Sequence, residues 1–536
     1  MEQFTQFYKL VICKKRFYLP IIFFALVAYS FSIYNRTVSI DGLMGDYTVG
    51  NKGMSMLAGR WGMVVWCRLL GIMGYDPFID RFLALIFLTI AAVLLCYVLY
   101  LIDRRTEILP YTIVASIFIT YPLINEIWEY VSADYMVGGN LCLVTMAAII
   151  IKTSTFSNIS LKRLFIACIL MLLPMSSYET AVFYYIALVG VVIFYEELTH
   201  VEPSFHIKDW IKKNIYYFLP LVGAFIARFV ISFIINSIYD LDYDGGGDTK
   251  IIWYYYDFVP TLKGLIVGNI LHYTIYGLVY LPITVFFMAL VFFFIKSILL
   301  RGKRRVLLFL GVIVVVSLFS LAILQGDLLM YRHAQTITLF VSFSAYLACV
   351  SMNTEWRKCL CYVLLFCLCW YQAVYMNKLL CLNNLRSDNE LAVIRQIGNR
   401  IVSEFDDKPV AVVSSYQVGE WIRRQITVDE STWNGRMFYM IHEWLRVKIE
   451  KPYKYVYTNC NSASGEYFQL KLLFNYCGYN VDIIPDMLSD GNNKKYENIL
   501  PEAIRIAKNK NLKPYAIYDN GDYLILHLGG KFYEFN

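Results

Sequence analysis

The sequence predicts an α-helical polytopic membrane protein of about 11 transmembrane helices, closed by a small C-terminal extracytoplasmic α/β domain. Three observations predict it. The 536 residues are 58% hydrophobic and 17% charged, against about 45–50% apolar and about 25% charged in soluble domains. The apolar residues fall into runs long enough to cross a bilayer. Basic residues gather at alternate ends of those runs, the bias that marks cytoplasmic connections.

The first run goes from about Phe17 to Ile33, behind Lys9, Lys14, Lys15 and Arg16. No small-residue cleavage site follows it, so it reads as an uncleaved helix. Further runs lie near 79–102, 106–124, 136–151, 161–175, 178–196, 214–237, 273–298, 305–324, 334–352 and 357–377. The stretch 161–196 is one long apolar segment interrupted by Pro174 and by Ser176-Ser177-Tyr178-Glu179. With the N-terminus cytoplasmic, the inner connections carry Arg104-Arg105, Lys152 with Lys162-Arg163, Lys208 with Lys212-Lys213, Lys296 through Arg305, and Arg357-Lys358. An odd number of spans then puts the C-terminal region outside. The domain boundaries are 1–380 for the membrane part and 381–536 for the outer part.

The outer part is different material. Ser387 to Phe405 has helical period, with Ser387 or Asp388 as cap and Leu391, Ile394, Ile397 and Ile401 on one face. Pro409 to Val413 reads as a buried strand, and Tyr453–Tyr457, Val481–Ile484, Tyr515–Tyr518 and Tyr523–His527 as further strands. Glu466–Tyr476 and Pro501–Lys508 read as helices, and Asn520-Gly521-Asp522 as a turn. Alternating helix and strand predicts a small α/β domain.

Charge excludes some functions. The net +7 sits at the ends of apolar runs, which is no nucleic-acid footprint. Most of the Cys residues lie in apolar runs, where Cys acts as a small hydrophobe; one disulfide among Cys381, Cys460 and Cys477 stays open. Transporters place ionisable groups inside their spans, whereas here Arg228 is the clear exception. Polar residues collect instead on the predicted outer loops. Asp41, Asp46, Lys52 and Arg60 lie on the first, Glu126, Glu129 and Asp134 on the second, Glu179 on the third, Asp240 to Asp257 on the fourth, and Asp327, Arg332 and His333 on the fifth. Tyr and Trp accompany them. Aromatic faces stack on sugar C–H surfaces and carboxylates accept from hydroxyls, so the pattern is that of a sugar-handling enzyme.

Several short motifs then carry a resemblance. Ser39-Ile40-Asp41 after the first span, Gly59-Arg60-Trp61-Gly62, Ala133-Asp134-Tyr135, Ser177-Tyr178-Glu179-Thr180 and Tyr331-Arg332 look like landmarks of the membrane glucosyltransferases that decorate bacterial O-antigens and other surface glycans, of the GT-C class. The helix before Pro409–Val413 resembles the start of that family's outer region. One departure stands out: Gly42 occupies the place where the family often has a second carboxylate, and Asp46 is the substitute.

The resemblance implies a GT-C-like fold in the bacterial cytoplasmic membrane. It implies transfer of a sugar, most often glucose, from a polyprenyl-phosphate donor to an acceptor glycan on the outer face. A single inverting displacement needs a carboxylate base, Asp41 or Asp46. The carrier phosphate needs cations as its charge develops, which Arg60, Arg332 and Lys52 supply. Asp134, Tyr178, Glu179 and Trp61 would bind substrate. No cofactor is required and no metal ligand is assigned; a divalent cation is compatible with the acidic loop Asp242–Asp248, although it lacks EF-hand spacing.

Each residue has a second reading. Asp41 and Asp46 cap helices in many proteins, and Arg60 beside Trp61 suits an interfacial anchor. A helix from Asp46 onward would bring Arg60 to the same face as Asp46. Two other functions fit a polytopic chain. A polysaccharide polymerase or ligase would centre on one large Arg-rich outer loop. A lipid-linked sugar flippase or transporter would carry more charge in its spans.

Overall fold

In lipid, backbone amides must be satisfied within the protein, and a single apolar run of about 20 residues does so as a helix. A computed structural model describes residues 2–35, 59–72, 77–122, 128, 134–154, 160–199, 210, 214–239, 258–259, 335–405, 408–416, 467–484 and 499–532. Its helices are α1 (Glu2–Phe7), α2 (Lys15–Tyr34), α3 (Trp61–Leu70), α4 (Pro77–Asp103), α5 (Ile108–Thr120), α6 (Asp134–Lys152), α7 (Leu161–Ser177), α8 (Thr180–Thr199), α9 (Leu219–Tyr239), α10 (Gln335–Val350) and α11 (Glu355–Glu404). The chain is thus a largely helical, multi-span membrane protein.

Six of the eleven expected spans are identified among the described residues. Among the described residues six helices are long and apolar enough to cross a membrane, while α5 and α10 are apolar but shorter. The runs at 273–298 and 305–324 lie outside the described residues, as does the strand expected at Tyr453–Tyr457. α3 is a short apolar helix that the run-length reading did not separate.

Helix packing forms one buried core. α4 packs on α6, α6 on α7 and α7 on α9; α2 packs on α5 and α11, and α5 on α10. Contacts sort the helix ends into two sets. At one end Asp103 of α4 accepts from Tyr195 of α8 at 2.6 Å and Tyr346 of α10 at 2.5 Å. Lys152 of α6 pairs with Glu196 of α8 at the same end. At the other end Gln335, first in α10, donates to Thr180, first in α8, at 3.1 Å.

Beyond the core, α11 runs on unbroken for 50 residues, about 75 Å at 1.5 Å per residue. This corrects one expectation: Ser387 and Asp388 are mid-helix and cap nothing. The position between 380 and 381 also falls inside the helix. Its far half presents Leu391, Ile394, Ile397 and Ile401 to a second core, the face the periodicity predicts.

That second core belongs to an α/β unit. β1 (Val410–Val412), β3 (Ile483–Ile484), β4 (Ile517–Asp519) and β5 (Leu524–Leu526) form a sheet in the order β3-β1-β5-β4. β1 runs parallel to β3 and β5, and β4 and β5 form a hairpin. Gly521, at φ 95°, makes its turn, with its N–H donated to Asp519 at 2.8 Å. β2 (Ser414–Tyr416) and β6 (Gly529–Phe532) pair separately. Val410 and Val412 face α11 and α12 (Tyr467–Tyr476), whereas Ala411 and Val413 face α13 (Ile499–Asn509). That is the period of two that a strand covered on both faces requires. Gly398 admits the Tyr479 ring: a Cβ there would stand 2.4 Å from it, which fixes α11 against this unit.

Candidate active site

The break between α7 and α8 builds the site. Ser176 and Ser177 return their hydroxyls to the carbonyls of Leu172 and Leu173, closing the last turn of α7. Tyr178 is then extended, at φ −156° and ψ 124°, and α8 resumes at Thr180. Tyr178 and Glu179 are thereby turned out of the helical path at a joint between two helices.

α3 carries the opposing residues. Gly59 has φ 69° and Arg60 is the residue before the helix, which starts at Trp61. A continuous helix reaching Arg60 from Asp46 is therefore excluded: a left-handed glycine interrupts it. Gly62 brings α3 onto α7 so closely that a Cβ would lie 2.5 Å from both Ser176 Oγ and Ser177 Oγ. Trp66 locks the other end, donating to Asn140 of α6 at 3.0 Å over Gly139.

With α3 held there, Arg60 reaches Glu179 through two nitrogens, Nε to Oε1 at 3.3 Å and Nη2 to Oε2 at 3.1 Å. Its guanidinium also lies over the Tyr178 ring, 5.3 Å from the centroid, a cation–π geometry. Trp61 Nε1 donates to Ser232 of α9 at 3.2 Å. From α9, Arg228 Nη2 approaches Glu179 Oε1 at 3.6 Å. Four of the expected site residues, Arg60, Trp61, Tyr178 and Glu179, thus meet at one place, although Arg60 and Glu179 are 119 positions apart.

The others divide. Asp134 opens α6. Asp41, Asp46, Lys52 and Arg332 lie outside the described residues. Gln335, three positions after Arg332, is bonded to Thr180 beside Glu179. Arg228 and Ser232 are the residues the sequence reading left out of the site. Their signal was present: Ala224, Arg228 and Ser232 recur every four residues, one helix face, with a lone charge in an apolar helix. Among the described residues no group of three or more His, Cys, Asp or Glu stands close enough to hold a metal ion.

The fold also fixes where the Asp41 segment leaves α2. Arg81, fully buried on α4, donates Nη1 to the carbonyls of Ser32 at 2.6 Å and Asn35 at 2.5 Å. A cation there satisfies the open carbonyls of a helix C-terminus and suits its dipole. Trp128 packs on Tyr29, rings 4.1 Å apart, and donates to Ser32 Oγ at 2.8 Å. Arg81→Met is expected to cost about 1–3 kcal/mol, the scale of orphaning buried acceptors, measured by thermal unfolding in detergent. An unchanged melting temperature would remove Arg81 from this anchoring role.

These landmarks coincide with a known family. Residues 30–352, well over half of the chain, match the family described as Glucosyl transferase GtrII. The chain belongs to the glucosyl transferase GtrII family. It is therefore a glycosyltransferase enzyme, and every residue of the cluster just described lies within the matched part. The α/β unit lies beyond it. Two solved structures resemble this glucosyl transferase, both of the oligosaccharyltransferase from Archaeoglobus fulgidus. Its apo form is 12% identical with TM-score 0.35, covering 77% of this chain and 64% of that one. Its complex with Zn and sulfate is 11% identical with TM-score 0.37, covering 95% of this chain and 73% of that one. The chain thus spans less than two thirds of the apo-form chain. No curated protein sequence matches it.

Proposed function

We propose that the enzyme moves glucose from a polyprenyl-phosphate carrier to an acceptor surface glycan at the outer face of the bacterial cytoplasmic membrane. The observation that carries this reading is the junction of Arg60, Tyr178 and Glu179 with Arg228, a charged and aromatic cluster at the joint of α7 and α8, in a chain of the glucosyl transferase GtrII family. The N-terminus is cytoplasmic and the α/β unit, residues 381–536 with the far half of α11, is extracytoplasmic. Supporting that sidedness, Lys14, Lys15, Arg16, Arg104, Arg105, Lys152, Lys162 and Arg163 fall at the helix ends away from the cluster.

The acceptor hydroxyl attacks C1 of the sugar as its proton passes to Asp41. The C1–O bond to the carrier phosphate breaks, and its electron pair stays on the phosphate oxygen. Attack and departure on opposite faces invert the anomeric centre. Asp46 orients the acceptor, Arg60, Arg332 and Lys52 offset the phosphate charge, and Trp61, Tyr178, Glu179 and Asp134 hold the sugars.

Purified enzyme incubated with polyprenyl-phosphate glucose and a glycan acceptor is expected to release carrier phosphate together with glucosylated acceptor. Translocation of the lipid without sugar transfer would instead favour a flippase, and absence of both turnover and binding with a panel of such donors would defeat the proposal.

A further inference from the structure

Arg228 is a charge in an expensive place. It is the tenth of the 21 residues of α9, eleven before Tyr239, hence about 16 Å short of that end of the helix. An arginine at such depth in an apolar helix costs several kcal/mol unless something compensates it. The rest of α9 is built for lipid: Phe225, Ile226, Phe229, Val230 and Phe233 are all exposed. Only the stripe through Ala224, Arg228 and Ser232 turns inward. There Ala224 is fully buried and Gly223 admits Cys168 so closely that a Cβ would stand 2.6 Å from its sulfur.

The two arginines at the joint hold Glu179 unequally. Glu179 is engaged at both oxygens by Arg60, and Arg228 reaches the same carboxylate by one nitrogen at 3.6 Å. Two guanidiniums thus share one carboxylate. Arg60 makes the bidentate pair and lies over the Tyr178 ring. Arg228 has the longer, single contact and is only 20% exposed.

The geometry points to Arg228 as a residue that receives the donor's phosphate, and to Glu179 as the positioning residue that holds Arg60 and Arg228 side by side. This rests on the reading that the donor is a polyprenyl phosphate. A sugar–phosphate–polyprenol is a phosphodiester with one negative charge, which suits a guanidinium that only shares its carboxylate. Its apolar tail can lie along the lipid-exposed face of α9 while the phosphate meets the inward stripe. When the C1–O bond breaks, the electron pair left on the phosphate raises its negative charge. The Arg228 contact therefore strengthens along the reaction, and its loss falls on kcat more than on KM.

The test compares wild type, Arg228→Gln and Arg228→Lys in detergent or nanodiscs. Donor turnover is titrated, and equilibrium binding is measured for polyprenyl phosphate, phosphatidylglycerol and inorganic phosphate. Arg228→Gln is expected to lower kcat about 100-fold and to weaken polyprenyl phosphate binding. Arg228→Lys, which keeps the charge but loses the planar fork, is expected to recover much of both. Thermal unfolding checks that each variant is folded; should Arg228→Gln fail to fold, Arg228→Met takes its place, and wild-type kcat and polyprenyl phosphate affinity in that variant overturn the inference. A merely structural ion pair would move the melting temperature and leave kcat and binding in place, which also overturns it. Arg228-dependent binding of phosphatidylglycerol or inorganic phosphate equal to that of polyprenyl phosphate would make it a general anion contact and overturn the donor assignment. If wild type turns over no donor, the functional reading fails separately, and equal polyprenyl phosphate binding by wild type and Arg228→Gln still overturns this one.

Discussion

Asp41→Asn is expected to lower sugar transfer by about 10²–10⁴-fold, the usual contribution of a positioned general base, with donor affinity little changed. The substitution keeps size and hydrogen-bonding shape and removes only the capacity to take the acceptor's proton. Binding of the lipid-linked sugar depends on cations and aromatic rings elsewhere, so KM for the donor should stay within a few-fold. The measurement is steady-state release of carrier phosphate at saturating acceptor, with Asp46→Asn in parallel. If Asp46→Asn carries the larger loss, the base is Asp46 and Asp41 serves as an N-cap, which would move the melting temperature more than the turnover. Near-wild-type turnover in both variants would remove the carboxylate-base mechanism altogether.

Much of the architecture was legible because its causes are local. A run long enough to cross the bilayer must be helical, and 161–196 breaks at Tyr178-Glu179, after the serines that close α7. Leu391, Ile394, Ile397 and Ile401 could be placed on one buried face by spacing alone. What was not legible depends on partners far away in the chain. Nothing near Arg60 announces that Glu179, 119 residues on, will take both its nitrogens, or that Arg228 will join them from a third segment. The continuity of α11 was hidden for another reason. Composition changes near Asn383, from apolar to mixed, but between Glu355 and Glu404 no proline occurs and Gly398 is the lone glycine. Helix propensity is indifferent to the change of surroundings, so the backbone runs on where the solvent changes.

The same distinction makes Asp103 a consequential position for stability. In the sequence, Asp103-Arg104-Arg105 is only the charged end of a span. In the fold its side chain is 6% exposed and collects Arg105 Nε at 2.8 Å, Tyr195 at 2.6 Å, Tyr346 at 2.5 Å and Tyr111 at 3.3 Å. The carboxylate thus ties α4, α5, α8 and α10 at the end away from the Arg60–Glu179 cluster. Asp103→Ala takes the acceptor from Tyr195, Tyr346 and the Arg105 guanidinium, while Tyr111 keeps the Arg105 carbonyl at 3.4 Å, and breaking a buried pair on one side costs about 3–5 kcal/mol. Asp103→Asn keeps one acceptor oxygen and should lose less. Tyr346→Phe removes a single donor and should cost about 1 kcal/mol; combined with Asp103→Ala it should add almost nothing, because its partner is already gone. Unfolding in detergent gives all four values. Additive losses for the pair would mean that the hydroxyl draws its stability from elsewhere. Turnover per folded molecule should hold in every one of these variants, since the knot braces the helices at the end remote from the cluster that meets the substrate.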